Sequence, residues 1–393
     1  MNDIKIKDLT KNIISAIRQS INVEKAGLHE PSIDDMDIKS VVKTLETGFV
    51  SSVGKDIEEF EKDIARYTNA SYVVGMCNGT SALHISLLAN NIRENDEILV
   101  PALTFIATAN AISYCKAIPH FIDSEVDSFG INIDKLELYL EKNTKLENNE
   151  CINLKTNRRI YAIIPVHVFG FIGDMIRLQK LARRFNLVII EDATEALGSF
   201  RNNKHAGTFG KCGALSFNGN KIITTGGGGA LITNDLKLAK YAKHLSTTAK
   251  LKHKYEYHHD EVGFNYRMPS LNAALGISQL KKLPNYIIAK TKIRDAYQTN
   301  FNKIEGLKFI LGPQDCKSNY WLNSIKLDKE IIKYKDFIIE ELNEHGYLCR
   351  PIWQLLSSLN PYKINPSMDL SQAQELQESI INIPSSPKLG NMF

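Results

Sequence analysis

Lys221 closes the stretch Ser216-Phe217-Asn218-Gly219-Asn220-Lys221 and is followed by Ile222-Ile223-Thr224-Thr225 and four glycines, Gly226 to Gly229. A lysine that leaves a buried strand for a glycine-rich turn can be desolvated, which favours the neutral amine that forms Schiff bases. The glycines would let backbone approach a planar ligand closely. Alone, the same pattern also describes a surface lysine beside a flexible turn. Asp192 lies upstream, at the end of the apolar run Leu187-Val188-Ile189-Ile190-Glu191. An aspartate at the carboxyl end of a parallel strand sits where α/β proteins place their ligands, and it can pair with a protonated ring nitrogen. A helix cap or a magnesium ligand would look the same. Cys77-Asn78-Gly79-Thr80-Ser81 precedes an apolar helical segment, so Thr80 and Ser81 would offer amides and hydroxyls at a helix N-terminus. That suits a phosphate or an ordinary cap.

These residues need a scaffold, and the alternation of short β-branched runs with longer helical segments between residues 56 and 280 supplies one: an α/β fold with a mostly parallel central sheet. Strands are expected at 97–101, 118–122, 161–166, 187–191, 214–217 and 230–233, and helices at 55–67, 81–90, 174–185 and 236–245. Two further helical segments, 270–283 and 286–304, flank Pro284. Beyond them, strands at 321–327 and 346–350 around a helix at 330–345 read as a smaller α+β unit. The expected division is a helical N-terminal extension, 1–30, a large domain, 31–284, and a small C-terminal domain, 285–393. The polar stretch 144–159 reads as an exposed loop.

Composition narrows the function. Lys and Arg number 48 against 44 Asp and Glu, too even a balance for a nucleic-acid or anionic-membrane binder. Six scattered cysteines without a CxxC pair fit reduced thiols in a cytoplasm, and Cys115 and Cys212 read as small buried residues. No apolar run reaches the ~18 residues of a spanning helix, and the N-terminus lacks the apolar core of a signal peptide. Neither GxxxxGK[ST] nor a post-strand GxGxxG is present, which removes P-loop and dinucleotide readings. His253, His258 and His259 read as solvated loop residues and Glu58, Glu59 and Glu61 as the wet side of a helix; no metal is expected.

Several segments in fixed order carry a resemblance: Asn78-Gly79-Thr80-Ser81-Ala82-Leu83-His84, Pro101 to Asn110, Pro165-Val166-His167-Val168-Phe169-Gly170, Glu191-Asp192-Ala193-Thr194-Glu195-Ala196, Ser216 to Lys221, and Gly263-Phe264-Asn265-Tyr266-Arg267-Met268. Over roughly residues 30–390 the chain resembles the DegT/DnrJ/StrS family of sugar aminotransferases. The resemblance implies the fold type I architecture of enzymes that use pyridoxal 5′-phosphate (PLP). It implies that Lys221 carries PLP as a Schiff base and moves the proton, and that Asp192 holds the pyridine nitrogen. Phe105 would stack on the ring, and Thr80, Ser81 and Ser216 would bind the phosphate. Glu195 falls near the phenolic oxygen, where many members have Gln or His. Asn265 to Arg267 would reach the cofactor site of the other subunit in an obligate homodimer with shared active sites. Members that dehydrate rather than aminate replace the anchoring lysine with histidine, whereas this chain has Lys221; a regulatory protein on the same scaffold is the rival from another class.

Leu28-His29-Glu30-Pro31, Phe49 to Gly54, Asn218 to Gly229 and Pro384-Ser385-Ser386 look most like C4 aminotransferases of bacillosamine- and legionaminic-acid-type pathways. By that resemblance the donor is L-glutamate. The acceptor is a nucleotide-linked 4-keto-6-deoxy sugar, UDP-4-keto-6-deoxy-N-acetylglucosamine, aminated at C4 for surface-glycan or nonulosonic-acid biosynthesis. C3 amination is the alternative, and the nucleotide stays open between UDP and GDP.

Overall fold

Strand direction in the main sheet determines where every segment quoted above ends up. The computed structural model describes residues 3–392, so residues 1, 2 and 393, the outermost positions of the expected terminal segments, lie outside it. Its main sheet runs Tyr72–Met76, Gly229–Thr233, Cys212–Ser216, Val188–Asp192, Arg159–Ile163, Glu97–Pro101, Ile118–Ile122 in spatial order. The last five of these are mutually parallel. Gly229–Thr233 is antiparallel to both of its neighbours, so Tyr72–Met76 points the same way as Cys212–Ser216. Met76, Pro101, Asp192 and Ser216 therefore all end at one edge. Val188–Asp192 and Cys212–Ser216 are almost wholly buried, as apolar strands covered on both faces must be.

The expected α/β architecture is present, with the strands at Glu97–Pro101 and Ile118–Ile122 in the expected positions and the ends of the others shifted by up to three residues. Three elements differ. The stretch 144–159 is not a loop: Thr144–Glu147 and Glu150–Asn153 form a hairpin whose second strand extends the sheet beside Arg159–Ile163. Its turn places Asn148 and Asn149 in the left-handed region, with φ of 50° and 66°, an Asn-Asn signal for a hairpin that polar composition masked. The helices expected on either side of Pro284 are one, Ser270–Phe301. Proline removes one helical hydrogen bond, but buried Leu280, Leu283, Tyr286, Ala289 and Ile293 hold both halves in the core. The strand expected at 346–350 shrinks to Arg350–Pro351, because Gly346, at φ 87°, turns the chain after the helix Lys335–Glu344.

The C-terminal part is a four-stranded sheet, Leu307–Phe309, Asn323–Leu327, Ile380–Ile383, Arg350–Pro351. The helix Asp3–Ile21 joins its core: Ile13, Ile17 and Ile21 are buried with Ile293, Tyr297, Ile325 and Tyr347. Among the described residues no helix is long and apolar enough to cross a membrane, and all six cysteines are free thiols. Cys115 and Cys212 are buried, and burial pushes each thiol up to about 12, which suits packing rather than nucleophilic attack.

Candidate active site

A cavity of about 320 Å³ opens at the carboxyl edge of the sheet, lined by Thr80, Phe105, Asp192, Glu195, Ser216 and Lys221 among others. Six of the residues singled out from the sequence thus meet in one place. Asp192 ends its strand with both carboxylate oxygens engaged: Thr108 Oγ1 donates to Oδ2 at 2.7 Å, and Thr194 donates to Oδ1 through its hydroxyl at 2.7 Å and its amide at 3.1 Å. These bonds hold the carboxylate in orientation.

Lys221 is one-eighth exposed and its Nζ lies 3.3 Å from Glu195 Oε1. The other oxygen of Glu195 accepts the Phe169 amide at 3.0 Å. Burial raises the Glu195 pKa above the ordinary value, the Lys221 charge opposing it. Below the amine, the Trp321 ring centroid is 3.7 Å from Nζ, and Trp321 Nε1 donates to the carbonyl of Asn220 at 2.7 Å. One tryptophan thus grips both the lysine's side chain and its preceding peptide.

The helix Gly79–Ala89 points its N-terminus into the cavity, capped by Asn78, whose side chain accepts the Ser81 amide at 2.8 Å. The amides of Gly79 and Thr80 have no intrahelical acceptor, and the first turn carries no acidic side chain. Ser81 itself is not in the cavity wall; its hydroxyl faces Cys77 Sγ at 3.2 Å. Gly79 allows a close approach here, since a Cβ would meet Ser216 Cβ and Thr194 Cγ2 at 3.0 Å and crowd both side chains. The glycines 226–229 do not line the cavity. Gly229 instead lets two chain segments cross, a Cβ there falling 2.4 Å from the Asn78 carbonyl carbon. Phe105 lines the mouth with 55 % of its surface exposed, an unburied aromatic face. Asn265 and Arg267 hydrogen-bond each other at 2.9 Å on the surface and do not line this cavity.

Trp321, Trp353, Asn220, Thr108 and Thr194 also line the site and were not singled out from the sequence. For the tryptophans a signal existed: the chain has only two, and both are here. His253 and His258 are exposed, and their ring nitrogens lie within 4.8 Å of each other and of Glu256. Glu61 is not on the wet side of its helix, since its Oε1 accepts the Gly75 amide at 2.8 Å and Lys243 Nζ at 2.9 Å.

An α/β protein with an amine, a braced aspartate and a helix N-terminus converging at the carboxyl edge of its sheet has the framework of a fold type I enzyme. The chain belongs to the DegT/DnrJ/EryC1/StrS aminotransferase family, whose pattern matches residues 31–392. It is 33% identical over 93% of its length to the GDP-perosamine synthase of Caulobacter vibrioides, covering 94% of that protein. It is 33% identical to the UDP-4-amino-4,6-dideoxy-N-acetyl-beta-L-altrosamine transaminase of Campylobacter jejuni, with 90% of each chain covered. Its fold superposes on PseC of Helicobacter pylori, an aminotransferase involved in pseudoaminic acid biosynthesis, with a TM-score of 0.82 at 27% identity over 92% of this chain and 93% of that one. The protein is a PLP-dependent sugar aminotransferase.

Proposed function

We propose that the chain transfers the amino group of L-glutamate to C4 of a 4-keto-6-deoxy hexose carried on a nucleoside diphosphate, with UDP-4-keto-6-deoxy-N-acetylglucosamine as acceptor. The observation that carries the chemistry is Lys221 between Glu195 and Trp321, in one cavity with Asp192 braced by two threonines. That donor set fits PLP: a carboxylate for a ring nitrogen, an exposed aromatic for a ring face, and uncommitted amides with the Thr80 and Ser216 hydroxyls for a phosphate. When bound, PLP supplies an electron-accepting ring and a carbonyl to which amines attach.

The protein's own residues then do the following. Lys221 is the covalent anchor and, once displaced, the base that takes the α-proton of the donor and returns a proton to the former carbonyl carbon of the acceptor. Asp192, held in orientation by Thr108 and Thr194, keeps the ring nitrogen protonated. Phe105 covers one face, Thr80 and Ser216 belong to the phosphate end, and Glu195 stands by Lys221 and the phenolic oxygen. Asn265, exposed on this chain, and Arg267, half-buried beside it, serve the site of a second copy in a homodimer; sedimentation showing an active monomer at micromolar concentration would overturn that arrangement.

C4 amination of a 6-deoxy sugar is supported by the 4-amino-4,6-dideoxy product in the name of the C. jejuni relative. GDP is the second reading for the nucleotide, favoured by the GDP-perosamine synthases of Caulobacter and Escherichia coli at 33% and 34% identity. Incubation with glutamate and each 4-keto-6-deoxy sugar nucleotide in turn, with the new amine located by NMR, tests the proposal. An amine at C3, or turnover of 3-keto sugars alone, defeats it.

A further inference from the structure

Two stretches that the Lys221 cavity leaves unused, Leu28–Pro31 and Pro384–Ser386, meet in the fold. Ser385 donates its amide to the Leu28 carbonyl at 2.7 Å, and Glu30 donates its amide to Ser386 Oγ at 2.9 Å. Behind them Lys290, fully buried, donates to the carbonyls of Trp321 and Ser385. This clasp sets His29 in the wall of a second chamber of about 490 Å³, which shares Asn220, Trp321 and Trp353 with the first.

The chamber wall is short of partners. His29 is only 9% exposed, yet among the described residues neither ring nitrogen makes a hydrogen bond of ordinary geometry, the Asn220 backbone being the one polar neighbour that favours its charged form. Burial, with the charges of Lys290 and Lys221, pushes its pKa well down, leaving a neutral ring with one donor and one acceptor. Buried polar atoms are rarely left unmet. Arg350 lines the same chamber. Its side chain is solvent-exposed; among the described residues the guanidinium pairs with no carboxylate, and its one hydrogen bond is to the adjacent Cys349 carbonyl at 3.1 Å. Gln354 adds an amide that bonds no other described residue, and no aspartate or glutamate lines the space. The chamber thus carries one full positive charge, no negative one, and polar groups with unused capacity.

We propose that this second chamber is an oxyanion subsite, in which Arg350 pairs with an anionic group of the substrate whose reacting carbon lies at Lys221. A guanidinium offers two parallel donors that match a carboxylate or a phosphate. Resting on the aminotransferase reading above, the oxyanion is either the distal carboxylate of the amino donor or the diphosphate of the sugar nucleotide.

The test is calorimetric titration of the PLP-loaded enzyme with glutarate, UDP and GDP, for wild type, Arg350→Gln and Arg350→Lys. The expected result is that Arg350→Gln weakens at least one probe about tenfold or more, the scale of a lost charged hydrogen bond. Arg350→Lys should recover part of the loss, and the cofactor absorbance should be unchanged in all three. Weakening of glutarate alone assigns the chamber to the donor, of a nucleotide alone to the acceptor, and of both to each substrate in turn. Unchanged binding in Arg350→Gln, or no binding of any probe to the wild type, overturns the subsite. If glutarate depends on Arg350 but no sugar nucleotide is turned over, the subsite stands and the proposed acceptor falls.

Discussion

On one side of the Lys221 cavity stand Thr80, Thr108, Asp192, Thr194 and Ser216, each at or just beyond the end of a strand or the start of the helix that follows it. On the other stand Trp321 and Trp353, brought from the C-terminal sheet, Trp321 bonding a carbonyl 101 residues away. The first wall is fixed by sheet topology: parallel strands carry whatever follows them to one edge. The second depends on how two sheets and an N-terminal clasp dock. A wall set by topology is suited to chemistry that does not vary, and a wall set by docking can change with the substrate.

The largest effect should come from the first wall. Lys221→Ala should abolish transamination while leaving the circular dichroism spectrum native, and borohydride should no longer fix the cofactor to this position. A phosphopyridoxyl label on a different lysine of the wild type would remove Lys221 from its role. Asp192→Asn should keep the cofactor but lose about 10²–10³ in kcat, the scale of removing one preorganised electrostatic partner, because an amide cannot hold a ring nitrogen protonated. Near-normal turnover would take Asp192 out of the comparison.

The same contrast explains what could be read from the chain. Asp192 and Lys221 were legible because each follows a continuously apolar strand, and local order places it. The helix N-terminus at Thr80 was legible too, although Ser81, one residue on, turns toward Cys77; a helix advances its residues around an axis, so neighbours in sequence do not share a face. The rarity of tryptophan marked Trp321 but not where it would sit, because no periodicity tells which end of a distant sheet will dock on which edge. The glycines 226–229 were misread for a related reason. A close approach of backbone can serve a ligand or another chain segment, and Gly229 meets Asn78.

A substitution in the second wall should be milder. Trp321→Phe keeps an aromatic ring under the Lys221 amine but removes the indole donor to the Asn220 carbonyl. The expected cost is about 1 kcal/mol, roughly fivefold in kcat, with borohydride labelling of Lys221 intact. A loss as large as that of Asp192→Asn would mean that the docked wall takes part in the common chemistry, and the division between the two walls would fail.

The smallest effect belongs to Glu195, which faces Lys221 from the first wall without an analogous brace: Phe169 donates to one oxygen and Lys221 Nζ approaches the other. Its pKa is raised above 4.5, by burial first and against the pull of the Lys221 charge. A native carboxyl with a raised pKa holds its proton at pH values where the unfolded chain has released it. Its contribution to stability is therefore full below the ordinary glutamate value and is lost as pH rises through the native one. Glu195→Gln has no such proton to lose. In thermal melts of the cofactor-free protein from about pH 4 to about pH 8, the Tm of Glu195→Gln minus that of wild type should be constant at the acid end and grow upward through this window. A difference that stays flat, or that shrinks as pH rises, would mean that the Lys221 charge outweighs burial and that Glu195 is a carboxylate throughout, able only to accept. A growing difference leaves Glu195 protonated over part of the range, where it can donate a hydrogen bond as the amide of a glutamine would.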